Sequence, residues 1–245
     1  MHIQIITLFP EMVMNLSKYG VVGRAIENNL VTLKTYNPRD FSTDRHRSVD
    51  DRPYGGGPGM VMQYEPLQKA IRSAIQNSEN CNVVCLSAQG KPFQQADVDR
   101  LGAYSNLVLV AGRYEGIDER LMESEIDEEI SMGDFVVSGG ELPAMLMVDA
   151  LVRHIPGALG HEESALRDSF VDGLLDCPHY TRPESIDGRV VPDILLQGNH
   201  QAIERWRKKE SLGRTYLRRP DLIAKLNLSD EQKALLEEYL KEQPN

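Results

Sequence analysis

Three stretches of the chain combine glycine with polar side chains in a way that suits a ligand held by main-chain groups. They are Ser87-Ala88-Gln89-Gly90, Gly112-Arg113-Tyr114-Glu115-Gly116 and Gly133-Asp134-Phe135-Val136-Val137-Ser138-Gly139-Gly140-Glu141. Glycine has no Cβ, so a backbone can come close to a ligand there, and several such turns at one sheet edge can enclose a flat, polar molecule by main-chain hydrogen bonds. Any one of these glycines serves equally well as a tight turn or a helix cap; the grouping is what points to a site.

Several common site types are absent. Gly55-Gly56-Gly57-Pro58-Gly59 does not fit the dinucleotide glycine spacing and follows a charged loop rather than a strand. Gly90-Lys91 runs into Pro92 and lacks the upstream glycine of a P-loop, and Val136 stands where a nucleophile elbow at Ser138 needs glycine. Cys81, Cys85 and Cys177 cannot all pair within one chain and read as reduced thiols of an intracellular protein. Cys177 with His179 supplies two metal ligands at most, so no metal site is expected from the cysteines.

The elements that must hold these turns follow from periodicity. Ile3 to Leu8 reads as a strand, Pro10 to about Tyr19 as a helix stopped by Gly20, and Leu30 to Tyr36 as a strand. Residues 40–59, with four glycines, two prolines and dense charge, are expected to form a long loop, functional or mobile by its length. Glu65 to Asn77 is helical, Val83 to Leu86 a strand, Gln94 to Ala103 a helix and Leu107 to Ala111 a buried strand. A short apolar strand is expected at Phe135 to Val137, then a helix from Leu142 to His154. Strands alternating with helices imply an α/β fold with a mainly parallel sheet, whose ligand site lies beyond the carboxyl ends of the strands. The expected organisation is an α/β domain over 1–160, a flexible linker over 161–180 and a small all-helical domain over 181–245. Its helices run near Asn199–Lys209 and from a capping box at Ser229–Gln232 to Lys241.

Charge supports that division. The 245 residues carry 27 Lys and Arg against 37 Asp and Glu, a net charge of -10 that argues against a general nucleic-acid binder. Between Arg113 and Glu141 ten acids face two arginines, whereas between Gln201 and Pro220 seven bases face two acids. Such a basic block on an acidic protein suits a phosphate backbone held at one end, or else a solvated helix face. The longest apolar stretches are far shorter than the roughly 18 residues that span a bilayer, and no signal segment opens the chain, so a cytoplasmic location is expected.

Longer motifs go further. Asp44-Arg45-His46-Arg47, the run Asp50 to Met60, Gly112 to Arg120, Gly139 to Ala144, Leu174 to Pro183 and Gly198-Asn199-His200 together resemble the bacterial tRNA (guanine-N1)-methyltransferases, in order and over nearly the whole chain. The resemblance implies a SPOUT-type α/β domain with a deep C-terminal trefoil knot, S-adenosylmethionine as methyl donor, and a homodimer with active sites at the subunit interface. The substrate it implies is the guanine at tRNA position 37, in the anticodon stem-loop. Competing readings are a knotted methyltransferase acting on a ribose hydroxyl and an RNA-binding protein of this fold without activity.

By that resemblance the donor lies among Leu86, Ser87, Gln89, Gly90, Gly112, Tyr114, Glu115, Met132, Gly133, Asp134, Phe135, Val136, Val137, Gly139, Gly140 and Pro143. Ala88 stands where proline is common and Phe135 where tyrosine is common, which loosens one turn and removes a hydroxyl. Guanine N1 must lose a proton before it attacks a sulfonium methyl group, so the chemistry needs a base and a cation near O6. The resemblance assigns these to Asp168 and Arg153. Glu115 either positions the guanine, helps bind Mg2+ or pairs with Arg113 or Arg120; Asp176 is a second carboxylate for the metal. Asp44, His46, Asp50, Asp51, Arg52 and Ser169 are expected to read the target base and its neighbour. Arg205, Arg207, Lys208, Arg214, Arg218 and Arg219 are expected to grip the RNA.

Overall fold

The computed structural model describes residues 1–75, 78, 80–160, 165 and 167–242. The chain divides into two compact units, Met1–Glu162 and Glu163–Asn245.

In the first unit, β1 (His2–Ile6), β2 (Thr32–Tyr36), β5 (Cys81–Pro92), β6 (Asn106–Ala111) and β7 (Glu128–Ser131) form one sheet in the order β2-β1-β6-β5-β7, every neighbouring pair parallel. Two-residue strands β3 (Asp50–Asp51) and β4 (Val61–Met62) pair separately within the long loop region. Helices α1 (Pro10–Met14), α2 (Gly20–Glu27), α3 (Tyr64–Ile75), α4 (Gln95–Gly102), α5 (Glu119–Glu125) and α6 (Glu141–Arg153) connect them. Every residue of β6 is buried, as a strand covered on both faces must be. Its period-two alternation splits the core: Leu107 and Leu109 face the cluster with α2, α4 and α6, while Val108 and Val110 face the cluster with α3 and α5. Each fully buried Leu or Val of this kind contributes roughly 1.5–3 kcal/mol relative to exposure.

The edge of the sheet is fastened by charge. Asp97, buried at the start of α4, pairs with Lys91 at 2.9 Å and Arg100 at 3.0 Å, and Arg100 reaches Glu128 of β7 at 2.7 Å. Burial of Asp97 opposes its ionisation, but hydrogen bonds from Lys91, Arg100 and the Gln94 N–H outweigh that and hold the carboxyl below its ordinary range. Burial, with Glu129 nearby, pushes the Cys85 thiol up to about 12, so it packs as a small apolar group and not as a nucleophile.

Several elements differ from the expectations above. Gly20, at φ +65, interrupts the first helix but opens α2, because a positive-φ glycine can redirect a chain as well as end a helix. The acidic segment contains α5, capped by the Asp118 side chain on the Arg120 N–H, and then β7, whose consecutive acids Glu128 and Glu129 mask the buried Ile130. Phe135, Val136 and Val137 form no strand; they sit exposed in an irregular loop. The end of the helix expected at 65–77 lies outside the described residues at 76 and 77.

In the second unit, α7 (His200–Arg218) runs nine residues beyond the expected end, since Leu212 and Thr215 continue its buried face. After it come α8 (Pro220–Ile223) and α9 (Asp230–Glu242), the last opened by the Ser229–Gln232 capping box. A short hairpin pairs Ser185–Ile186 with Arg189–Val190. Leu174, Leu212 and Leu235 make a small core, and a Cβ at Gly213 would meet the Tyr239 ring at 2.1 Å, so α7 and α9 need glycine to approach this closely. Part of the expected linker, 161–164 and 166, lies outside the described residues. From 167 onward the chain is built into this unit: the Leu175 N–H donates to Thr215 Oγ1 and Ser211 Oγ donates to the Leu175 carbonyl.

Candidate active site

Beyond the carboxyl ends of β5, β6 and β7 lies a cleft of about 450 Å3. Three segments wall it, one a bulge within β5 and two that follow the ends of β6 and β7. Leu86 and Lys91 both pair with Ile130, so Ser87–Gly90 bulge out of the ladder between them. After β6, Gly112–Gly116 turn back, with Tyr114 in the left-handed region at φ 63, a conformation that costs a non-glycine residue about 1–3 kcal/mol. After β7, Met132–Gly140 form the third wall and lead into α6.

All the donor residues expected above line this cleft except Gly90 and Asp134. A Cβ at Gly90 would lie 2.5 Å from Glu129 and Ile130 backbone atoms, so that glycine serves strand packing. Asp134 is exposed. A Cβ at Gly140 would lie 2.6 Å from Ala111 Cα, and the Gly140 N–H donates to the Gly112 carbonyl at 2.9 Å, so the second and third walls meet backbone to backbone.

Glu115 lines the cleft with its side chain against Gly59, where a Cβ would meet Glu115 Cγ at 2.5 Å. Its N–H donates to the Met60 carbonyl at 3.0 Å, which brings the end of the glycine-rich loop to the cleft's rim. The ion pairs of Arg113 and Arg120 go to Glu141 and Asp118 instead of to Glu115. Burial, then the Asp50 carboxylate beside its hydroxyl, raise the pKa of Tyr114, and this places Asp50 next to the second wall.

Arg153 and Asp168 do not line the cleft. Arg153 is the last residue of α6, whose first residue follows the third wall; twelve steps of 1.5 Å put it about 18 Å along the helix. Asp168 belongs to the second unit, where it lines a cavity of about 460 Å3 with Arg207 and Lys208. Ser169 Oγ accepts the Asp176 N–H at 2.9 Å.

The basic stretch is more neutral than its local count suggests. Arg205 pairs with Glu238, Arg207 with Glu204, Lys209 with Glu238 and Glu242, and Arg219 with Asp221. Helix α9 supplies two of these acids from outside the window in which the charge was counted, and residues 163–245 together hold 13 bases against 15 acids. Lys208, Arg214 and Arg218 make no hydrogen bond or ion pair among the described residues, which leaves them the cations open to a phosphate.

Asp176, Cys177 and His179 bring their ligand atoms within 4.8 Å of one another, one more ligand than the cysteine and histidine alone would offer. His179 Nε2 lies 2.8 Å from Asp176 Oδ2. Burial and the adjacent Asp176 push the Cys177 thiol up to about 11. Arg113 lines the cleft and its carboxylate partner Glu141 lies behind it, and neither is among the site residues expected from the sequence; the signal available there was an acid at the start of an apolar helix.

A parallel α/β sheet with a loop-built cleft beyond its strand ends is the arrangement in which proteins of this class bind their ligands, nucleosides and nucleotides among them. Comparison with known proteins is more specific. Residues 1–225 match the family described as tRNA (Guanine-1)-methyltransferase TrmD. The tRNA (guanine-N(1)-)-methyltransferase of Escherichia fergusonii is 58% identical over 243 residues, covering 99% of this chain and 95% of that relative. Those of Tolumonas auensis, at 58%, and Photorhabdus laumondii, at 57%, match over 99% of this chain and 98% and 97% of their own lengths. The chain belongs to the tRNA (guanine-1)-methyltransferase TrmD family, a family of methyltransferases, and membership implies S-adenosylmethionine as donor.

Proposed function

We propose that the chain transfers a methyl group from S-adenosylmethionine to N1 of the guanine at position 37 of tRNA, beside the anticodon. The observation that carries this reading is the cleft itself: the strand-end loops expected to clasp the donor do converge on one cavity. Leu86, Ser87, Gln89, Gly112, Tyr114, Glu115, Met132, Gly133, Phe135, Val136, Val137, Gly139, Gly140 and Pro143 would hold the donor, largely by main-chain groups that the close packing of Gly140 presents. When bound, that molecule supplies an electrophilic methyl group on a sulfonium.

The chain's own residues do the rest. The Asp168 carboxylate takes the N1 proton, which frees the N1 lone pair for attack, and the Arg153 guanidinium donates to O6 where negative charge develops. Glu115 positions the guanine from the cleft wall. Asp50, beside Tyr114, and Ser169 contact the target and its neighbour, while Lys208, Arg214 and Arg218, with the paired Arg205, Arg207 and Arg219 around them, face the RNA backbone.

Two features support a homodimer with shared sites. Arg153 sits at the far end of α6 from the cleft, a placement that suits its delivery by a second copy. Leu142 and Leu146, one turn apart on α6, are 53% and 55% exposed, and Phe135 and Val136 are exposed next to the same helix start. A deep knot is part of the proposal, and the tight passage of Gly139–Gly140 against Ala111–Gly112 supports it. Mg2+ fits less well. Asp176, Cys177 and His179 are the one metal-competent cluster among the described residues, and its mixed oxygen, sulfur and nitrogen set is not the oxygen set Mg2+ prefers. No step is routed through that ion. No described helix is long and apolar enough to cross a membrane, and a cytoplasmic site of action is part of the proposal.

Transfer of a tritiated methyl group to an unmodified tRNA transcript tests the reading. Label is expected at N1 of guanine 37 and lost when position 37 is changed; label on a ribose, or none, overturns it. Lys208→Ala with Arg218→Ala is expected to weaken tRNA binding and make the slope of log affinity on log salt shallower by about 1–2. Arg205→Ala, already neutralised by Glu238, should change it less. An unaltered salt slope in the double variant would return the basic helix to a solvated surface.

A further inference from the structure

We propose that Glu141, acting through Arg113, is a positioning residue that holds the donor cleft in its binding shape; this rests on the donor reading above. Glu141 is wholly buried at the first position of α6. An ionised carboxylate in such a place must be paired and hydrogen-bonded. It accepts from Thr7 Oγ1 at 2.9 Å and from Arg113 Nε at 2.8 Å. Arg113 in turn donates from Nη1 to the Ser138 carbonyl at 3.1 Å and lays its guanidinium 4.4 Å from the centre of the Phe9 ring.

These contacts join three separate segments: the end of β1 at Thr7–Phe9, the second cleft wall at Gly112–Gly116 and the third at Met132–Gly140. The guanidinium also fills the space beside Gly139, where a Cβ would meet Arg113 Nε at 2.2 Å. Arg113 is therefore a strut between the two walls, and Glu141 fixes its direction. A buried ion pair is poor at adding net stability but can select one arrangement over others. Walls held in one arrangement bind a ligand without first being ordered, and that gain appears as affinity.

Calorimetric titration of the full chain with S-adenosylmethionine, alongside thermal unfolding, tests this. Glu141→Gln keeps the volume and removes the charge; the donor Kd is expected to rise at least about tenfold, with kcat at saturating donor within about threefold of wild type. Thr7→Val keeps the ion pair but loses the hydrogen bond that Thr7 Oγ1 donates to Glu141 and the one it accepts from the Phe9 N–H, and should raise Kd by a smaller factor. Gln4→Leu is the control for plain destabilisation: Gln4 is buried and bonded to Asn106 and the Ala74 carbonyl, away from the cleft. It should lower Tm and leave Kd unchanged. Glu141→Gln and Thr7→Val with wild-type Kd and only lowered Tm would overturn the positioning role. A wild-type chain that binds no donor would instead overturn the donor reading, and this one with it.

Discussion

Asp168→Ala is expected to lower kcat by about 10²- to 10⁴-fold, the usual loss when a general base is removed, and to leave the donor Kd unchanged. The two halves of that result come from the architecture. Every described residue that lines the cleft belongs to the first unit, and Asp168 is not among them. The guanine N1 proton, by contrast, has no other assigned acceptor, and without its removal the N1 lone pair stays tied up in the N–H bond. Asp168→Asn should lose as much as Asp168→Ala, because an amide keeps the shape and cannot take the proton. Single-turnover methyl transfer, with donor and tRNA both saturating, separates this from weakened binding. An alanine variant that retains turnover within about threefold removes Asp168 from the mechanism and moves attention to the carboxylates of the cleft, Glu115 first.

The second large effect concerns Arg153. Alone, Arg153→Ala should lose activity on the scale of a missing oxyanion donor, about 10²- to 10³-fold. The proposed dimer makes a sharper prediction, since in it an arginine about 18 Å along α6 from its own cleft serves the cleft of the other copy. Ala88→Trp, a bulky residue on an exposed cleft-lining loop, should block donor binding in its own subunit without touching the core. Co-expression of the two inactive chains should then restore about a quarter of wild-type activity, since half the random dimers are mixed and each mixed dimer has one intact site. Differently tagged subunits allow the mixed dimer to be isolated and assayed directly. An isolated mixed dimer as inactive as its parents would show that Arg153 works within its own chain or not at all.

How much of this was legible in the sequence varies with the range of the interaction involved. The strands and most helices of the first unit follow from local periodicity, and the glycine-bearing turns fall at strand ends because a chain leaving a buried parallel strand must turn at once. Errors occurred where local pattern and tertiary setting disagree. Phe135-Val136-Val137 has the composition of a strand, yet it pairs with neither edge strand of the sheet, β2 or β7, and stays irregular and exposed. Strand β7 was passed over because Glu128 and Glu129 look like a solvated run until Arg100 and Asn82 are seen to receive the first of them.

By itself, then, the order of residues determined the parallel α/β sheet, the turns that make the cleft and the family to which the chain belongs, because periodicity, turn chemistry and motif spacing are all properties of short stretches. Only the tertiary structure decided which charges remain available. Glu238 and Glu242 cancel bases some thirty residues away on α7, Glu141 claims Arg113 from Glu115, and α6 carries Arg153 away from the cleft its own chain builds. Such pairings depend on which faces of distant elements meet, and a Coulomb interaction strong at 3 Å is negligible at 20 Å in water.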